Sequence, residues 1–140
     1  VLSNEFKGLQ WITYRYPEDP NRELNNLKQI IKILKNDSSK RMLITDYQFL
    51  SPTLKTYDFS PNQWHHPTVS FPLNDQKYFK KYKNFFIKNL KVNNIDFIYE
   101  TTENDKSITE LVINEDCLKK VRVSEMLLKI KLLKNCKDLN

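Results

Sequence analysis

Twice in this chain an amphipathic helical stretch runs through a polar link into a short apolar run, once over residues 20 to 46 and once over 75 to 99. That order limits the fold more than any other feature. A strand reached through a helical crossover lies parallel to its neighbour, so the pattern predicts a small α/β sheet with these two strands parallel. In the first unit, Asp19 before Pro20 is a helix N-cap followed by proline in the first turn, where its missing N–H costs nothing. Leu24, Leu27, Ile31 and Leu34 then fall on one face as far as about Lys35, with Ile30 and Ile33 widening the stripe. Asn36-Asp37-Ser38-Ser39 is the link, and Met42 to Asp46 the apolar run. Too short for a helix and flat in its apolarity, this run suits a strand buried on both faces and is the candidate central strand. In the second unit Asn74 or Asp75 caps a helix to about Lys91, with Phe79, Tyr82, Phe86 and Leu90 on its buried face and Tyr78 and Phe85 beside them. Val92-Asn93-Asn94 breaks it, and Ile95 to Tyr99 forms the strand.

The expected fold is therefore a small three-layer, Rossmann-like α/β domain in which strands 42–46 and 95–99 are adjacent or near neighbours. Near the C-terminus Leu128, Ile130 and Leu132 alternate with Lys129 and Lys131, which predicts an edge strand protected by lysines. Residues 9–14 read as a first strand, Phe49 to Tyr57 as a short helix, Ser60 to Gln63 as a turn and Thr68 to Phe71 as a short strand. Thr101 to Lys106 is a polar loop. Ile108 to Ile113 fits helix or strand, and Asn114 to Lys120 a short helix capped by Asn114.

At 140 residues the chain is the size of one domain, spanning 1–140, and is long enough to bury a core. Its 39% hydrophobic and 29% charged residues are those of a folded, soluble domain. Glycine occurs once, at Gly8, which removes the glycine-built phosphate cradles, and no cofactor is expected. The net charge of +6 admits nucleic acid or an anionic membrane surface as partner, but the lysines are scattered along helices rather than massed, so nucleic acid is the lesser reading. No run approaches the roughly 20 apolar residues of a membrane span. The first residue is Val1 rather than Met, so the chain is expected to be a fragment of a longer protein.

In open α/β sheets ligands bind just past the carboxyl ends of the central strands, which nominates Thr45, Asp46 and Tyr47. If the following loop folds over that end, Trp64, His65 and His66 join them. Imidazole and carboxylate together supply acid/base groups or metal ligands. Adjacent histidines point apart, however, and no third ligand has suitable spacing, so neither a metal nor a catalytic residue is assigned; Asp46 instead caps or tethers the next segment. Trp64, with Tyr57 and Phe59, stacks on a sugar or a base, or simply packs. Lys80, Lys81 and Lys83 beside the aromatic residues make a basic aromatic face of the kind found on membrane-surface helices. Ser51, Ser60 and Ser70 lack the strand-turn-helix setting of a nucleophile elbow. Cys117 and Cys136, without a CxxC or a nearby histidine, are two buried thiols or one disulfide, and spacing does not choose.

The run Phe6-Lys7-Gly8-Leu9-Gln10-Trp11-Ile12, the helix from Pro20, Met42 to Phe49, the Ser60-Pro61-Asn62 turn and the Lys77 to Tyr99 helix and strand follow one another in a familiar order. The chain resembles the soluble C-terminal domain of bacterial integral membrane proteins of the glycosyltransferase type C group, relatives of the protein mannosyltransferases. The resemblance implies a non-catalytic extramembrane domain with a binding or structural role, on the periplasmic face of the bacterial inner membrane. Its partners would be the parent transmembrane domain, the membrane surface, and a saccharide or lipid-linked sugar. The catalytic acid of those enzymes lies in a loop between membrane helices, so no catalytic residue carries over. Export would also permit a Cys117–Cys136 disulfide. The alternative is a stand-alone basic nucleic-acid-binding protein.

Overall fold

The computed structural model describes residues 15–133 and Cys136, so the expected strand over 9–14 lies outside the described residues. The order of elements is α1 (Pro20–Asn36), β1 (Arg41–Ile44), α2 (Leu50–Leu54), α3 (Phe79–Val92), β2 (Phe97–Thr101), α4 (Ile108–Val112), a single 3₁₀ turn (Glu115–Cys117), β3 (Leu118–Ser124) and β4 (Leu127–Leu132). The strands form one mixed sheet in the order β1-β2-β4-β3. β1 and β2 are adjacent and parallel, with Ile44 opposite Glu100, while β4 runs antiparallel to β2 and to β3. Among the described residues no helix is long and apolar enough to cross a membrane.

Helix α1 forms as its sequence dictates. The Asp19 carboxylate accepts from the Arg22 N–H at 3.2 Å, Pro20 opens the first turn, and Leu27, Ile30, Ile31 and Leu34 are buried. These pack with Leu50 and Leu54 of α2 against Leu43, Tyr99, Met126 and Leu127 on one face of the sheet. Phe86 and Leu90 of α3, with Val112 of α4, pack against Met42, Ile44, Ile98, Leu128 and Ile130 on the other. β1 is therefore buried on both faces because successive side chains enter different cores. Helix α3 starts at Phe79, later than Asn74 or Asp75, and has no side-chain cap; it ends with Asn94 at φ 49°, the left-handed position Asn tolerates, and the Ile95 N–H donating to the Leu90 carbonyl at 3.0 Å.

The structure corrects four expectations. β1 is an edge strand rather than the central one. Its outer edge is closed by an irregular segment, the Leu43 N–H donating to the Phe59 carbonyl at 2.8 Å, and the Arg41 guanidinium reaches Asp58 at 2.6 Å and the carbonyls of Leu34 and Asp37 at 2.6 and 2.9 Å. Burial on both faces thus identified a covered strand without locating it in the sheet. The C-terminal strand, conversely, is interior, between β2 and β3. Its lysine alternation records a sheet face that helices leave partly to solvent: Lys129 lies 3.9 Å above the Phe97 ring and donates to Asp37 at 2.9 Å. The third correction concerns residues 114–120. Asn114 does cap, accepting from the Asp116 N–H at 3.1 Å, but only the 3₁₀ turn follows before the chain extends into β3, where Val121 and Val123 favour strand and β4 supplies the ladder. Last, Thr68 to Phe71 is a turn with a single bridge between Pro67 and Phe71 rather than a strand, because two prolines so close leave few N–H groups for a ladder.

Cys117 and Cys136 are joined by a disulfide with Cα atoms 5.2 Å apart, which fastens the end of the chain to the 3₁₀ turn on the α3 side of the sheet.

Candidate functional site

The carboxyl ends of the parallel strands β1 and β2 open into a pocket of about 210 Å³ whose lining mixes polar residues with Ile44, Pro67 and Ile108. Parallel pairing brings the two strand ends level, so residues remote in sequence meet there. The Thr101 hydroxyl donates to the Thr45 hydroxyl at 2.7 Å, and the same Thr45 oxygen accepts from the Tyr47 N–H at 3.0 Å. Asp46, one residue further, is half-buried and meets the Arg15 guanidinium at 3.4 Å; Arg15 also approaches Glu103 at 3.8 Å and lies over the Tyr47 ring.

The roof of the pocket comes from the loop after α2. Gln48 donates from its amide both to the Thr45 carbonyl at 3.1 Å and to the Gln63 carbonyl at 2.6 Å, tying the loop down to the strand end. Asn62 donates to the Tyr82 hydroxyl at 2.7 Å, and Phe71 stacks on the Tyr82 ring, anchoring the same loop on α3. Between these anchors the chain carries His65 inward. It is 5% exposed and lines the pocket close to the Thr45 carbonyl and the Asp46 carboxylate, but neither ring nitrogen makes a hydrogen bond of good geometry among the described residues. Burial lowers its pKa below the ordinary histidine value, against the opposing pull of the nearby Asp46 charge and Thr45 carbonyl. A buried polar group without a well-formed hydrogen bond is destabilising by about 1–3 kcal/mol; the Tyr16, Ser39 and Ser124 hydroxyls and one Glu23 oxygen are in the same position elsewhere, and what singles out His65 is its place on the wall of this pocket.

Glu100 closes the floor in a different way. Its carboxylate accepts from the Ile108 and Thr109 N–H groups, both at 2.8 Å, and from the Thr109 hydroxyl, while Ser107 and Glu110 complete a capping box on α4. Burial pushes this carboxyl up and the three donors pull it down, the balance lying above the usual value. All of these acceptor contacts go to the protein, so Glu100 holds α4 in place.

Of the residues that the sequence nominated, Thr45, Asp46 and His65 line the pocket together. Tyr47 turns away into the α1 core, its hydroxyl donating to the buried Glu23 at 2.5 Å. Trp64 stands half exposed and His66 is exposed on the loop, both outside the lining. The sequence reading missed Thr101, Thr102, Asn104 and Lys106, which enter the lining from the end of β2, and Arg15 from the opposite side. The rule that nominated Thr45 applies equally to the second strand of a parallel pair, and its extension past Tyr99 reaches Glu100-Thr101-Thr102. Among the described residues no three His, Cys, Asp or Glu side chains converge as metal ligands. What the pocket offers is threonine hydroxyls, a carboxylate beside a guanidinium and an imidazole, groups that donate and accept hydrogen bonds to a small polar molecule.

No protein-family model, no curated protein and no solved structure matches this chain.

Proposed function

We propose that this chain is a non-catalytic binding domain whose pocket takes a small hydroxyl-rich molecule, a saccharide being the class that best fits alternating donors and acceptors. The observation that carries this reading is His65, buried at the pocket wall with no well-formed hydrogen bond among the described residues and sharing the lining with Thr45, Asp46 and Thr101. Arg15 and Asp46 side by side suit a sugar, whose hydroxyl groups donate to a carboxylate and accept from a guanidinium at once. We read the helices on both faces of the sheet as a three-layer, Rossmann-like arrangement with its ligand at the ends of the parallel strands.

The setting we propose is that of the sequence resemblance: an extramembrane domain of a glycosyltransferase-like integral membrane protein, on the extracytoplasmic face of a bacterial inner membrane. The disulfide between Cys117 and Cys136 supports that side, since such bonds persist in oxidising compartments.

The protein has two histidines, so imidazole resonances in a two-dimensional NMR spectrum are assigned with a single His66→Gln variant. Titration with mannose, glucose, N-acetylglucosamine and their 1-phosphates is expected to move the His65 signals and leave those of His66 in place. In Thr101→Val the response should weaken by roughly tenfold in affinity, the scale of one hydrogen bond of about 1.4 kcal/mol. If no sugar moves the His65 signals at millimolar concentration, the saccharide reading is wrong.

A further inference from the structure

Helix α3 carries lysine at 80, 81, 83, 88 and 91 and not one Asp or Glu between Phe79 and Val92. Its inner side is accounted for by Phe86 and Leu90 in the core. Its outer side is not. Tyr78 is 57% exposed, Phe85 48% and Val92 66%, and a spacing of seven residues puts all three on one line along the helix. Val69, 83% exposed, lies near the helix start, for it shares a surface cleft with Lys77 and Tyr78. Lysines flank the row: the ammonium groups of Lys77 and Lys81 lie 5.4 and 5.9 Å from the Tyr78 ring, and Lys88 follows one turn after Phe85. Among the described residues no carboxylate pairs with Lys80, Lys81, Lys88 or Lys91.

We infer that this face of α3 lies on an anionic phospholipid bilayer. A row of Tyr78, Phe85 and Val92, about 21 Å long at the helical rise of 1.5 Å, can lie along a plane over its whole length, with Val69 near one end. Aliphatic side chains gain by entering the acyl boundary, whereas stacking on nucleobases uses only flat rings, so Val69 and Val92 favour lipid over a nucleic acid. Lysines bordering the row keep their heads in the anionic headgroup layer while their stems cover apolar surface. A second copy of this chain fits less well, because pairing the face with itself opposes two helices that each carry five lysines and no acid, and Asp75 before the helix start is a single charge against them. The inference is independent of the pocket at the ends of β1 and β2, so either can fail alone.

Flotation of the full chain with unilamellar vesicles tests it. Vesicles of equal parts phosphatidylcholine and phosphatidylglycerol should carry the protein up the gradient, pure phosphatidylcholine should not, and raising salt should release it. Lys81→Gln with Lys88→Gln is expected to lower partitioning roughly twenty-five-fold, from about a fivefold loss for each charge near an anionic surface. Phe85→Ala should lower it severalfold at unchanged charge, and since that ring is exposed its melting temperature serves as a check that the fold is intact. Equal binding to both vesicle types, no binding to either, or a Phe85→Ala variant that floats like the parent overturns the inference. So does tight, salt-sensitive binding to a short single-stranded oligonucleotide that Phe85→Ala leaves unchanged while vesicles fail to compete. A concentration-dependent dimer abolished by Phe85→Ala, with no flotation, would assign the face to a second copy instead.

Discussion

The two ends of the β1–β2 pair are built from similar residue types and used in opposite ways. At the amino end, where a cleft of about 360 Å³ opens, the buried charges are answered by protein groups. Arg41 is held by Asp58 and by two carbonyls, Asp58 accepts in addition from Ser51 and Thr56, and Asp37 is met by Lys129, Tyr99 and the Ser39 N–H. At the carboxyl end the imidazole of His65 is buried with no well-formed hydrogen bond among the described residues, whereas the group left so at the amino end is the small, uncharged Ser39 hydroxyl. Saturated polar networks rigidify, while an unanswered buried group is a standing cost that binding relieves. The smaller pocket, not the larger cleft, is therefore the candidate site.

The comparison breaks most visibly at Arg41. Arg41→Met leaves Asp58 buried without its partner and should destabilise by about 3–5 kcal/mol in urea unfolding; a loss under about 1 kcal/mol, the scale of an exposed pair, would mean that the amino end is not a saturated network. Replacing Cys117 and Cys136 together by Ser should remove roughly 3 kcal/mol in the chain-entropy account, without moving the His65 signals. A variant as stable as the parent would show that the bond does not secure the end of the chain.

Asp37 sharpens the same contrast through pH. Burial raises its carboxyl, but the donors from Lys129, Ser39 and Tyr99 outweigh this and hold it well below the usual carboxylate range. A depressed carboxyl stabilises the fold above its unfolded value of about 3.9 and loses that contribution as pH falls below it. Asp37→Asn should cost about 1.5–3 kcal/mol at neutral pH and flatten the acid limb of a stability profile. An acid limb identical to the parent's would reassign the acid sensitivity to other groups.

His65 should behave in the reverse sense and more weakly. Its folded pKa lies below about 6.5, so the fold is favoured above that value and loses stability as pH falls through the folded pKa. His65→Leu should leave neutral-pH stability unchanged or raise it by about 1 kcal/mol and remove the loss that begins below about pH 6.5. Marked destabilisation at neutral pH would show that His65 is packed for the fold and not for a ligand.

Much of this was legible from local chemistry. Asp19-Pro20 and the Leu27, Ile31, Leu34 spacing define α1; two helix-to-strand passages define a parallel pair; and Thr45 and Asp46 fall at a strand end by position alone. The disulfide was not legible, because spacing leaves Cys117 and Cys136 equally compatible with free thiols, and the helical reading of residues 114–120 failed because a capping asparagine reports only the turn it caps.

Which segments bury apolar surface and where the chain turns follow from local chemistry, since periodicity, capping and proline act over a few residues. The strand order, with β1 at a covered edge and β4 inside, came from long-range packing, because a covering segment and a neighbouring strand bury a backbone alike. The same packing set His65 against Thr45 and Thr101 and turned Tyr47 away from them, because which face of a strand end meets a loop depends on anchors as distant as Gln48–Gln63 and Asn62–Tyr82.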